Sequence, residues 1–136
     1  MRRLVLDERE RVGEFVRILI PHVPSWGEWY VAIGHEQDGD LISGVVYNLY
    51  SGADIAMHIA GVGPNWLSRS YLRAAFRYPF IQLGCRRVSG YVPAKNAAAR
   101  RFDEHIGFTQ EGYMRHAMPD DDVIVYGMLR EECRWL

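Results

Sequence analysis

Apolar and polar residues change period along this chain often enough to mark out its elements. Arg2 to Leu6 reads as a short strand. Val12, Phe15, Val16 and Leu19 then recur at i, i+3, i+4 and i+7, the stripe of a helix over Glu8 to Ile20 that stops at Pro21. Asp7, with Glu10 three residues on, is placed to form a capping box at its start. A loop from Pro21 to Glu28 carries His22, Pro24 and Trp26. Trp29 to Glu36 and Leu41 to Tyr50 read as strands joined by Gln37-Asp38-Gly39-Asp40, a strong hairpin turn. Ser51-Gly52-Ala53-Asp54 turns again into a strand in which Ile55, Met57 and Ile59 alternate with Ala56, His58 and Ala60.

Gly61 to Asn65 breaks that strand. A helix starting near Asn65 to Ser68 should carry Leu67, Tyr71, Leu72, Ala75 and Phe76 inward, and Pro79 must kink or end it because it lacks a backbone donor. Arg87 to Val92 alternates as a strand, with Val88, Gly90 and Val92 one way and Ser89 and Tyr91 the other, and Pro93 closes it. Asn96 can cap the next helix. Its inner face is read as Ala98, Phe102 and Ile106, with Arg100, Arg101, Asp103 and Glu104 toward water, and Gly107 as a left-handed stop. Thr109 to Met118 and Asp122 to Arg130 form a last strand pair around Pro119-Asp120-Asp121, and Trp135-Leu136 should pack back onto the domain. The order is β α β β β α β α β β. That is an α+β domain whose early strands are hairpin-linked and whose fourth and fifth strands, joined through a helix, pair in parallel.

Length and composition narrow the picture. A chain of 136 residues with 49% hydrophobic side chains is expected to form one domain, 1–136, around its own core. A net charge of −1 offers no concentrated basic surface, so no nucleic-acid partner is expected; Arg86-Arg87 and Arg100-Arg101 are local pairs. Cys85 and Cys133 are far apart with no CxxC, and His22, His105 and His116 do not cluster by spacing, so no metal site is expected. MRRLVLDERE has no apolar stretch of a secretory signal, and no apolar run approaches the ~18–20 residues of a membrane span. The expectation is a cytoplasmic protein with reduced thiols. His35 and Glu36, at a strand end, read as surface residues.

The stretch Gly84 to Phe108, GCRRVSGYVPAKNAAARRFDEHIGF, runs strand, loop, Asn, helix and a closing Gly-Phe. With Asn96, Phe102, Gly107 and Phe108 in place, it resembles the second half of the GNAT N-acetyltransferase fold, and the element order extends the likeness to essentially the whole chain. The resemblance implies a mixed, mostly antiparallel sheet whose central parallel pair splays apart to admit acetyl-CoA. It implies that exposed backbone of the strand Asp54 to Val62, at Ile59, Ala60 and Gly61, receives the thioester and pantetheine. The pyrophosphate would sit at the turn Asn65 to Tyr71 on Leu67, Ser68, Arg69 and Ser70, where helix N-terminal amides favour an anion, and Asn96 would also touch the cosubstrate.

Three positions depart from the family. Its glycine-rich turn is replaced by Trp66-Leu67-Ser68-Arg69-Ser70. Phe102 stands where many relatives carry a Tyr acid, and Ala99 where ribosomal-protein N-terminal acetyltransferases often carry a Ser. The catalytic candidates are therefore His58, on the strand that lines the cleft and near neutral in its reference pKa, and Tyr91 on the parallel partner strand. Each reads equally as a packing residue. Trp26, Trp29, Trp66 and Tyr30 cluster around loops that flank the cleft, and read as aromatic walls for an acceptor or the pantetheine arm or, more often for such residues, as core and rim. Asp120-Asp121-Asp122 reads as an attractor for a cationic amine or as a solvated turn.

The leading expectation is an N-acetyltransferase that moves acetyl from acetyl-CoA to a primary amine by direct attack in a ternary complex. The acceptor would be a protein N-terminus, a lysine or a small amine. The compact form and the ending YGMLREECRWL also resemble small GNAT-like proteins encoded by phages. The alternative is a GNAT scaffold that binds CoA or a protein partner without catalysis. Exposed strand edges and the apolar C-terminus are compatible with a homodimer.

Overall fold

Asp38 and Gly39 both take positive φ, 53° and 90°, so the expected hairpin closes with a backbone twist that matches its strands. This is seen in a computed structural model that describes residues 1–20 and 22–136. The elements run β1 (Arg2–Val5), α1 (Arg9–Leu19), β2 (Val31–Gln37), β3 (Asp40–Asn48), β4 (Ala56–Gly61), α2 (Arg69–Arg77), β5 (Arg87–Pro93), α3 (Ala97–Ile106), β6 (Thr109–Met118) and β7 (Asp121–Leu129). They form one seven-stranded sheet in the order β1-β2-β3-β4-β5-β7-β6. Every neighbouring pair is antiparallel except β4 and β5. This is the element order and the parallel pair expected from the sequence.

The alternation of each strand divides the core between two faces. On one side Val5, Val12, Val16, Trp26, Ala32 and Val46 pack under α1. On the other, Val45, Tyr47, Met57, Phe76, Val88 and Ile106 belong to the larger core under α2 and α3. α1 lies close to the sheet because Gly34 and Gly44 face each other across β2 and β3. A Cβ on Gly44 would stand 2.8 Å from Val16 Cγ2 and 2.9 Å from Val12 Cγ1. The paired glycines form the dimple into which the valine stripe docks.

Helix ends follow local chemistry. Asn96 Oδ1 accepts from Ala99 N at 3.1 Å, and Gly107 at φ 117° lets the amide of Phe108 turn back to Asp103 O. Ser68 caps α2 through Tyr71 N at 3.1 Å. Pro79 ends the α-helical ladder as expected, but the chain keeps coiling as a π-helical turn over Tyr78–Gln82, with Leu83 N donating to Tyr78 O. The capping box at Asp7 does not form: α1 starts at Arg9 with Glu8 as its N-cap, and the Glu8 carboxylate pairs with Arg11 instead (3.3 Å). The expected helix end at Pro21 lies outside the described residues, and Ile20 N closes the last turn on Val16 O.

Burial differs from expectation at several positions. His35 and Glu36 are buried, because β1 covers the edge of β2. Arg3 and Arg11 reach the Glu36 carboxylate at 2.6 and 3.0 Å and hold its pKa below the ordinary range, while the His35 ring stacks on Tyr71. Ala98 and Leu67 are exposed, and Ala99 rather than Ala98 packs on the core beside Phe102 and Ile106. Trp135 folds back as expected, donating from Nε1 to Ile106 O at 2.8 Å.

Candidate active site

β4 and β5 pair at one point only, Ala56 opposite Ser89. At that end Ser89 N donates to Ile55 O, and Arg86 N to Ala53 O. Beyond Ala56 the strands separate and leave a cleft of about 200 Å³ between Met57–Ala60 and Tyr91–Pro93. Backbone direction alternates along a strand. The residues in phase with Ile55, namely Ile59 and Gly61, therefore turn their peptide groups toward the gap, as does Tyr91 in phase with Ser89. Ala60 turns its peptide groups to Gly44 on β3 and gives the cleft its methyl group. Strand backbone groups without a ladder partner call for a ligand or water to satisfy them. The splayed centre is thus a ready-made seat for an extended, hydrogen-bonding chain.

The cleft passes through the sheet, so its two mouths differ. Toward α1 it is lined by Leu19, Ile20, His22, His58 and Tyr91. His58 Nε2 lies 2.9 Å from Asn48 Oδ1, while Asn48 Nδ2 donates to Trp26 O at 3.2 Å. The Trp26 carbonyl can only accept, which fixes the amide orientation and makes Nε2 the protonated nitrogen of the neutral ring. Nδ1 keeps its lone pair. Burial, with His22 nearby, pulls the His58 pKa down to about 4, so the imidazole is neutral at physiological pH. Trp26 packs against the ring at 4.8 Å between centroids and hydrogen-bonds Gly13 O, which holds His58 between β3 and α1.

Toward α3 the cleft is lined by Met57, Ile59, Asn96, Ala99, Asp103 and Phe108. Asp103 was expected to face water. Instead it is half-buried, and a Cβ placed on Gly90 would stand 3.2 Å from its Oδ2. Burial, with Glu104 beside it, raises its pKa to about 7. Helical periodicity pointed to Ala98, Phe102 and Ile106 as the inner face; α3 is rotated by one position, and Asp103 turns into the gap. The glycine at position 90 was the available signal, since a side chain there would crowd this carboxyl.

The turn after β4 takes a form of its own. Trp66 lies flat on Gly61, so a Cβ at that glycine would fall within the indole ring. The same indole packs against Phe102 of α3, with ring centroids 5.7 Å apart. Ser68 Oγ is engaged as the α2 cap and lies 3.2 Å from Ser70 Oγ, while the Arg69 guanidinium sits over Trp135 at 5.5 Å. Leu67 is exposed beside them. The four aromatics expected to flank the cleft together do not gather. Trp26 is under His58, Trp66 is on the opposite face, Trp29 stacks on Tyr50, and Tyr30 lies under Arg9. The Asp121 and Asp122 carboxylates accept from Lys95 N and His116 N, which ties the β6–β7 turn to the end of β5. Gly61→Ala is expected to expel Trp66 from this contact and shift tryptophan fluorescence to the red; an unchanged spectrum would show that the indole is not seated on Gly61.

Among the described residues no three His, Cys, Asp or Glu side chains gather as a metal site, and no helix is long and apolar enough to cross a membrane. The chain matches no protein-family model and no curated protein. Solved structures do share its architecture. A dodecameric spermidine N-acetyltransferase from Vibrio cholerae in an intermediate state superposes with a TM-score of 0.77 at 16% identity, covering 96% of this chain and 94% of that one. The spermidine/spermine N-acetyltransferase of the same organism, in complex with manganese ions, gives 0.76 at 16% identity over 96% and 93%. A probable acetyltransferase gives 0.70 at 17% identity over 96% and 94%. What is shared at these identities is the fold, and the fold is that of the GNAT acetyltransferases.

Proposed function

We propose that this protein is a GNAT-type N-acetyltransferase using acetyl-CoA as donor and a primary amine as acceptor, joined in a ternary complex. The observation that carries the reading is the split of β4 from β5, which bares the Ile59 backbone beside a neutral His58, while Gly61 in the same phase lies under Trp66. The Ile59 peptide groups suit the amides of the pantetheine arm, and the carbonyl of the thioester can accept from an N–H of the same strand. The diphosphate would lie near the α2 N-terminus, beside Ser68, Ser70 and Arg69, with the amides of Tyr71 and Leu72 already taken by Ser68. Asn96, already committed to its cap, borders the cosubstrate through its place on the cleft wall.

His58 is the proposed base. His58 lines the α1-side mouth with only its Nε2 engaged by Asn48, and the amine must lose a proton as it attacks the acetyl carbon. Tyr91, across the gap, is placed to orient the amine. Leu19, Ile20 and His22 line the same mouth and make it the acceptor's approach.

The test is to incubate the protein with acetyl-CoA and a panel of spermidine, tyramine and a short peptide with a free N-terminus, and to read acetylation by mass spectrometry. Transfer to any of these supports the reading. The contact of Trp66 with Gly61 and Phe102, which covers the end of β4, favours one other reading: a scaffold that binds CoA or a protein without turnover. That reading predicts binding with no acetylated product.

A further inference from the structure

We propose that Asp103 is the proton donor to the thiolate that leaves acetyl-CoA. The inference rests on the acetyltransferase reading and assigns the acid that reading otherwise lacks. Phe102 and Ala99 cannot donate a proton, and the Phe102 ring is turned onto Trp66. Asp103, the next residue of α3, lines the cleft on the face opposite His58. Its carboxyl lies against Gly90 of β5, where the missing side chain leaves room for it.

A base on one face of the sheet and an acid on the other bracket the carbonyl carbon of a thioester threaded through the split. The amine nitrogen bonds to that carbon and gives its proton to His58 Nδ1. The carbon–sulfur bond breaks with its electron pair on sulfur, and sulfur takes the Asp103 proton. The resulting imidazolium and carboxylate exchange protons with solvent before the next turnover.

The surroundings keep this carboxyl protonated near neutrality. On its own helix Glu104 opposes its ionisation, and Arg100 is directed at Tyr126 Oη (3.4 Å). Tyr126 of β7 in turn donates to Glu104 Oε2 at 2.6 Å, so the cation has a phenol and a second carboxylate to satisfy. From β5 only Tyr91 is titratable at the cleft, and from β4 and the segment after α1 come His58 and His22, both with pKa values lowered by burial. No hydrogen bond or cation among the described residues stabilises the Asp103 anion, and burial with Glu104 sets its pKa at about 7.

Asp103→Asn and Asp103→Glu would be compared with the parent protein in acetyl-CoA affinity by calorimetry and in kcat against pH with the best acceptor of the panel. The Asn variant is expected to bind acetyl-CoA within twofold of the parent and to lose about 10²-fold or more in kcat. The parent's kcat should fall as pH rises through about 7, the Asn variant should lack that limb, and Glu should restore part of the rate. An Asn variant with kcat within threefold of the parent, or with the basic limb intact, overturns the assignment. A readout free of turnover is the carboxyl carbon resonance of Asp103 in the parent. It should titrate near 7 and shift when CoA is added, and titration near the ordinary value of about 4 would sink the proposal. If the parent binds no acetyl-CoA the acetyltransferase reading itself fails, and binding without any acetylation favours the scaffold; both outcomes remove the donor role.

Discussion

Replacing His58 by Gln is expected to lower acetyl transfer by about 10²- to 10⁴-fold while leaving acetyl-CoA affinity nearly unchanged. Gln can donate its amide N–H to Asn48 Oδ1 as His58 Nε2 does (2.9 Å), so the packing between β3 and β4 survives. Only the Nδ1 lone pair is lost. The same variant tests the buried ring by stability. The folded pKa of about 4 lies below the reference of 6.5, so as pH falls the unfolded chain takes up the proton first. Stability is therefore full above about pH 6.5 and declines toward pH 4, by up to ~3 kcal/mol for this group. Chemical denaturation at pH 7 and pH 4.5 should show a smaller drop in His58→Gln than in the parent. Equal drops would mean that His58 is open to solvent and is not held neutral by burial.

The second large effect is structural. Gly44→Leu is expected to cost 3 kcal/mol or more, on the order of the upper end for forced overpacking. The first added carbon already meets Val12 and Val16 at 2.9 and 2.8 Å, and the rest of the side chain has nowhere to go unless α1 lifts off the sheet. α1 ends in Leu19 and Ile20, which line the cleft, so any fold that survives should also bind the acceptor poorly. Urea denaturation reads the first effect and the acceptor KM the second. Gly44→Ala should fall between the parent and Leu. A Leu variant as stable as the parent would show that α1 is not seated on the glycine pair.

What the chain discloses before folding is what local chemistry decides. Asn96, Gly107, Ser68 and the Asp38-Gly39 turn act within a few residues of themselves, and each does what its type and position imply. Alternation in β4 and β5 gives their faces for the same reason, and the helix crossover between them requires the parallel pair. Residues whose environment comes from distant elements were not legible. Glu36 looks like a solvent-facing strand end until β1 and α1 bring Arg3 and Arg11 to it. Asp103 looks like a helix-surface acid until α3 settles one position round from its apolar stripe. Asp7 and Glu10 spell a capping box, yet the chain leaving β1 starts its helix one residue later. The cleft itself shows in sequence only through the family resemblance, because a splay of two strands is set by what packs on both faces of the sheet.

The most direct test of the account is calorimetric titration with acetyl-CoA of the parent protein and of Ala99→Trp, which places an indole in the cleft from the α3 wall. The account predicts saturable one-to-one binding to the parent and its loss in the variant, with both proteins melting cooperatively. Absence of binding to the parent at millimolar acetyl-CoA, or equal binding by the two, would contradict it.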